Sequence, residues 1–208
     1  NNTGNLSVDL VITNNTGSST VYWSGAANGQ WDVSGTTNWL RAGVASNYMD
    51  GDTVIFDDTA LSNYTLNVTA TVVPAAVTIS NNVNTYTFTG ANGVWGTGSL
   101  TKNGSGTCVV ATADNFYIGA TYVNNGTLQV AMLANGGVQS GIGASAASEA
   151  NLVFNGGTLG YTGFSASSDR GFTVNAGGGT IAVSNAATVL TFSGYVTGAG
   201  RLRGIGRE

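Results

Sequence analysis

Apolar and polar side chains alternate along this chain in short runs, and glycine or asparagine interrupts each run before a helix could form. Tyr64, Leu66 and Val68 alternate with polar neighbours, and so do Tyr86 and Phe88. A period of two predicts half-buried strands. The same pattern gives strands at Thr53–Phe56, Thr107–Val110, Ala120–Val123 and Thr127–Val130. Further strands follow through LVFNG, GTLGYTG, GFTVNAG, GTIAVS and TVLTFSG. Six Asn-Gly pairs, from Asn28-Gly29 to Asn155-Gly156, mark tight corners that accept positive φ. Pro74 belongs at a strand edge or bend. Only Gln139–Ala150 is rich enough in alanine and serine to suggest a short helix or a looped excursion.

Strand and corner recur as a unit. Gly96, Gly98 and Leu100 share a G-x-G-x-L frame with Gly198, Gly200 and Leu202, and a basic residue follows in both (Lys102, Arg203). A G-x-x-L-x pattern returns in Asn155–Tyr161 and Gly177–Val183. One strand and one corner cannot bury a face alone, but a stack of them buries a continuous core, so the repetition predicts a solenoid. The expected core column is Leu100, Val109, Val123, Leu128, Val130, Leu152, Phe154, Leu159, Ile181, Val183, Leu190 and Phe192. At roughly 20–25 residues and ~4.8 Å per turn, the rod would be about 40–50 Å long.

Gly98 to Val130 resembles the autotransporter-associated β-strand repeat of bacterial secreted proteins. The carrying residues are the G-x-L-x-K of Gly98–Lys102, the G-x-G-T of Gly104–Thr107, Asn115, Tyr117, Gly119, and the runs Gly119–Val123 and Asn125–Val130. Ser140–Gly163 resembles the segment that usually follows such repeats, and Trp23–Asp58 resembles the tryptophan-rich opening often found ahead of them. The resemblance implies a right-handed parallel β-helix in an exported passenger. The expected fold is therefore all-β, a β-solenoid with a tryptophan-rich N-terminal cap, secreted or on the cell surface. Cys108 departs from the pattern, standing where leucine is usual, and nothing resembles the membrane barrel that would end an autotransporter.

Composition narrows the function. Charged residues are 8% of the chain, histidine is absent, and the net charge is −4. No apolar run approaches the ~18 residues of a membrane-spanning helix. Six Lys and Arg, four of them after residue 169, cannot form a phosphate-tracking stripe, so nucleic acid is not an expected partner. Without histidine, and with one cysteine that reads as a buried small hydrophobe, neither a Ser-His-Asp nor a Cys-His site can form. A glycosidase of this fold would need paired carboxylates. Outside one cluster the acids are isolated, although Asp114 and Asp169 could meet on neighbouring turns. No enzyme activity and no cofactor are expected.

Three divisions follow: a leader at 1–20, a tryptophan-rich cap with the first turns at 21–95, and solenoid repeats at 96–208. Trp23, Trp31 and Trp39, eight residues apart, read as a plug over the solenoid's end. The alternative is a carbohydrate-binding module using the same three rings, with surface glycans as partners. Asp50, Asp52, Asp57 and Asp58 form the one acidic cluster, a candidate calcium site with turn capping as its plainer role. In the leader, Ser7, Val8, Asp9, Leu10, Val11, Ile12 and Thr13 form a strand without a local partner. At the other end Arg201, Leu202 and Arg203 open a repeat that Glu208 cuts short. If the chain is complete rather than an excised piece, these two ends could join molecules head to tail by strand addition. The expected function is a non-enzymatic extracellular structural protein: an adhesin stalk, or the subunit of a surface fibre or layer.

Overall fold

Alternation sends every second side chain inward, so each strand contributes to one buried column and one outward column. In a computed structural model, which describes residues 19–206, the runs Thr53–Phe56, Ser99–Lys102, Thr107–Val110 and Thr127–Val130 all bury their second and fourth residues. These strands stack in parallel. The first sheet runs through Thr20–Trp23, Thr53–Phe56, Ala76–Ile79, Ser99–Lys102, Thr121–Val123, Leu152–Phe154, Phe172–Val174 and Val196–Thr197. The second runs through Gln30–Trp31, Thr65–Val68, Tyr86–Thr89, Thr107–Val110, Thr127–Val130, Thr158–Tyr161, Gly179–Val183 and Leu202–Gly206. Shorter pairs form a third side: Trp95–Gly96 with Phe116–Tyr117, and Ala166–Ser168 with Leu190–Phe192. The fold is a parallel β-solenoid.

The core is a set of in-register columns. Val21, Val54, Val77, Leu100, Thr121 and Leu152 stand one above another in the first sheet. Tyr86, Cys108, Leu128, Leu159 and Ile181 do so in the second. After Gln30–Trp31, strands of the second sheet begin at 65, 86, 107, 127, 158, 179 and 202, so beyond the cap a turn takes 20–23 residues, except for 31 between 127 and 158. That longer turn contains the excursion expected around Gln139–Ala150. It is a looped segment closed by one 3-10 turn, Glu149–Asn151. Eight stacked strands at ~4.8 Å give a rod of about 34 Å. This is shorter than expected, because the cap and the excursion use residues without adding turns.

Corners fix the stacking. A Cβ on Gly104 would lie 2.0 Å from the carbonyl oxygen of Asn81 in the turn below. At Gly126, which has φ +60°, it would lie 2.3 Å from the Gly106 carbonyl oxygen. Only glycine permits backbone this close.

Several expected positions differ. Val109 is not in the core: Cys108 and Val110 face inward, so Val109 must face out, paired with Thr87 and Gln129. Ile181, Val183, Leu190 and Phe192 are half-buried and pack against the core's edge. Ile181 and Val183 are paired with Gly204 and Gly206, which have no side chains to cover them. Leu190–Phe192 pairs with a strand on one side only among the described residues. The shared frame of Leu100 and Leu202 also misleads. Leu100 lies in the first sheet and is 2% exposed, whereas Leu202 lies in the second and is 40% exposed.

Leu128→Ala removes a fully buried side chain with column neighbours above and below. It should cost about 2–5 kcal/mol in denaturant unfolding, and Val109→Ala clearly less. Equal losses at the two positions would contradict the inward–outward assignment.

Candidate functional site

The tryptophan plug is built as a ring cluster. Trp39 meets Trp23 edge-on at 5.1 Å, Trp31 meets Tyr48 at 5.6 Å, and Phe56 contacts all three tryptophans. Trp23, Trp31 and Trp39 are 0% exposed. A sugar platform needs open ring faces, so this observation overturns the carbohydrate-binding reading of these three residues. The Trp23 indole donates to the Asn63 carbonyl at 3.1 Å. Trp39–Arg41 turns back antiparallel onto Thr20–Trp23, and Val44–Ser46 extends the hairpin beyond it. Asn38 locks the approach: its Oδ1 accepts from the amides of Ala27 and Asn28, and its Nδ2 donates to the Gln30 carbonyl at 2.8 Å. Sequence reading passed over Asn38, because a lone asparagine in a Gly/Ser/Thr-rich stretch looks like any turn residue.

The acidic cluster does not converge. Asp52 is buried and takes a forked contact from Arg41, with Nη1 at 2.9 Å and Nη2 at 2.6 Å, plus the Met49 amide. Asp50 accepts from the Tyr48 hydroxyl and the Val73 amide. Asp57 caps the turn at Thr59, and Asp58 collects amides from Asn82 and Val83. Each carboxylate holds its own turn, and no group of three His, Cys, Asp or Glu side chains gathers to hold a metal among the described residues. The candidate calcium set Asp50, Asp52, Asp57 and Asp58 is thus split between the two loops that flank Thr53–Phe56.

Two cations are enclosed instead. Lys102 is 0% exposed, lies in an inward column between Ile79 and Val123, and donates to the Gly104 carbonyl. Burial lowers its pKa, and burial likewise pushes the neighbouring Cys108 thiol up to about 12, against the opposing pull of the Lys102 charge. Arg170 is 2% exposed and forms no salt bridge among the described residues. Its guanidinium donates to the carbonyls of Ala134, Asn135, Val138, Gly143 and Ser145 and to the Ser145 hydroxyl. Desolvation lowers its pKa. One planar fork thereby fixes the whole excursion between Thr127–Val130 and Leu152–Phe154.

Asp114 and Asp169 both reach that excursion. Asp114 accepts from the Gln139 side-chain amide, and Asp169 accepts from the Gly136 amide at 2.7 Å. They grip the same loop rather than each other. Beside Asp114 the third side presents Trp95, whose indole donates to the Asp114 carbonyl at 3.0 Å, and Phe116, stacked on it at 5.1 Å. Trp95 is the partly exposed tryptophan among the four.

At the last corner Arg201, Leu202 and Arg203 are exposed and line an open hollow of ≈ 860 Å³ with Gly177, Gly178 and Thr180. Leu202–Gly206 pairs with Gly179–Val183. The leader strand of Ser7, Val8, Asp9, Leu10, Val11, Ile12 and Thr13 lies outside the described residues.

Residues 100–130 match the passenger-associated-transport-repeat family, the stretch that holds Leu100, Lys102, Cys108 and Leu128. Over 105 residues, 50% of this chain, the sequence is 39% identical to the adhesin BmaC autotransporter of Brucella suis biovar 1 (strain 1330). The aligned stretch covers 3% of that protein's length. No solved structure matches.

Arg170→Met removes one donor from each of five loop carbonyls, and leaves that of Val138 without its hydrogen-bond partner among the described residues. It should cost about 3 kcal/mol or more and open the 134–145 loop to limited proteolysis while the rest of the chain stays resistant. An unchanged digestion pattern would show that the loop holds itself.

Proposed function

We propose that this chain is a stalk segment of a larger adhesin-type protein, secreted or displayed on the cell surface, and that it works by length and rigidity rather than by catalysis. The observation that carries the reading is the unbroken inward column from Val21 to Leu152. A stack of this kind is additive in length, because each turn contacts only its neighbours. The passenger repeat at 100–130 and the named adhesin relative support an exported, surface-directed context. Two further features support a passive role. The chain has no histidine, and Asp114 and Asp169 are each engaged by the loop between them. No helix among the described residues is long and apolar enough to cross a membrane.

Duplicating one turn, residues 107–126, should lengthen the rod by about 5 Å in small-angle scattering, with the β circular-dichroism signal and cooperative unfolding retained. Loss of folding, or an unchanged maximum dimension, would contradict the stalk. A second reading is a subunit that joins end to end into a fibre. It draws on the strand Leu202–Gly206, which among the described residues is paired along one edge. Sedimentation of the 208-residue chain separates the two. Monomers at high concentration support the stalk segment. Filaments that disappear when residues 1–20 are removed support the fibre.

A further inference from the structure

The third side of the rod carries a surface for which a passive stalk has no use. Val72 bridges Val94 and Trp95 pairs with Phe116, so Val73, Trp95 and Phe116 rise one above another on successive turns. The two rings are tilted by 37° at 5.1 Å. Val73 is 38% exposed, Phe116 36%, and Ile118 beside them 50%. Two carboxylates stand beside this stripe. Asp50 holds the Val73 amide at 2.8 Å through Oδ1, and Asp114, close to Phe116 in the chain, accepts the Trp95 indole on its backbone carbonyl. Each uses Oδ1 for its structural bond, and no hydrogen bond among the described residues takes Oδ2.

Among the described residues no cation forms a salt bridge with either carboxylate. Arg41 is committed to Asp52, Lys102 and Arg170 are buried, and Arg201 and Arg203 sit at the last corner. Exposed rings next to unpaired carboxylates complement one chemistry: a cationic head on an apolar stem, which lies along the rings while its charge meets the acids. We propose that this flank docks an extended, lysine- or arginine-bearing segment of a protein partner. The rigid backing that Arg170 gives the loop means that little surface has to be ordered on binding. The assignment goes beyond the stalk reading, which stands if it fails.

The test uses the full chain and fluorescein-labelled oligolysine, with circular dichroism confirming the fold of each variant. Trp95→Ala and the pair Asp50→Asn/Asp114→Asn should each weaken binding by about tenfold. Asp57→Asn, at the corner between the two main sheets, should leave it within about twofold, and added salt should weaken wild-type binding. Ile118→Ser, which alters an exposed side chain, keeps the test available if Trp95→Ala lowers the melting temperature. Equal loss in the Asp57 variant, meaning charge without a site, overturns the proposal. So does unaltered binding by Trp95→Ala and Ile118→Ser. Binding of neutral chitin oligosaccharide in place of oligolysine, or self-association that Trp95→Ala removes, would give the flank to another occupant and equally overturn it.

Discussion

Vertical register is the constraint on which the rest of the molecule depends. Each turn must return to the same place one strand spacing higher, so that inward residues fall on inward residues and backbone amides meet the carbonyls of the next turn. Closure at this spacing removes all room at the corners. This is why glycine stands at 104 and 126, where any side chain would strike the carbonyl below. It also bears on the low charge of the chain. A charge placed at one position of an outward column stands about 5 Å from its counterpart on the next turn, where like charges repel. Threonine meets the same requirement without penalty, and Thr107, Thr127, Thr158 and Thr180 form one such column.

Columns need protected ends, and the N-terminal side shows how one is made. The hairpin Trp39–Arg41/Val44–Ser46 runs antiparallel against the first sheet and ends its parallel order. Arg41 on that hairpin reaches Asp52 to tie the cap to the next turn. The three tryptophans fill the volume between cap and core. The carboxylates that looked like a metal cluster in sequence are instead fasteners at opposite ends of Thr53–Phe56.

Much of this was legible in the sequence. Alternation located the strands, Asn-Gly pairs located the corners, and the repeat of both implied stacking. What alternation could not decide was phase. Cys108 and Val109 are adjacent, both apolar enough for the core, and only the pairing with Leu128 and Tyr86 shows that Cys108 faces in. The frame shared by Leu100 and Leu202 was a second false equivalence, since strand-and-corner grammar is the same in both sheets. Arg170 was illegible because its partners are backbone carbonyls, which every sequence has. The Trp95–Phe116 stripe was illegible for a related reason. The two residues are 21 apart and meet only because one turn here takes 20–23 residues.

The central claim, parallel in-register stacking, is tested most directly by spin labels on the threonine column. Cysteines at 107, 127, 158 and 180, with Cys108→Ala, place four labels on successive turns of the second sheet. Neighbouring labels about 5 Å apart should give a strongly broadened, exchange-coupled spectrum that the four single-label variants lack. A spectrum equal to the sum of the four singles would contradict the stack.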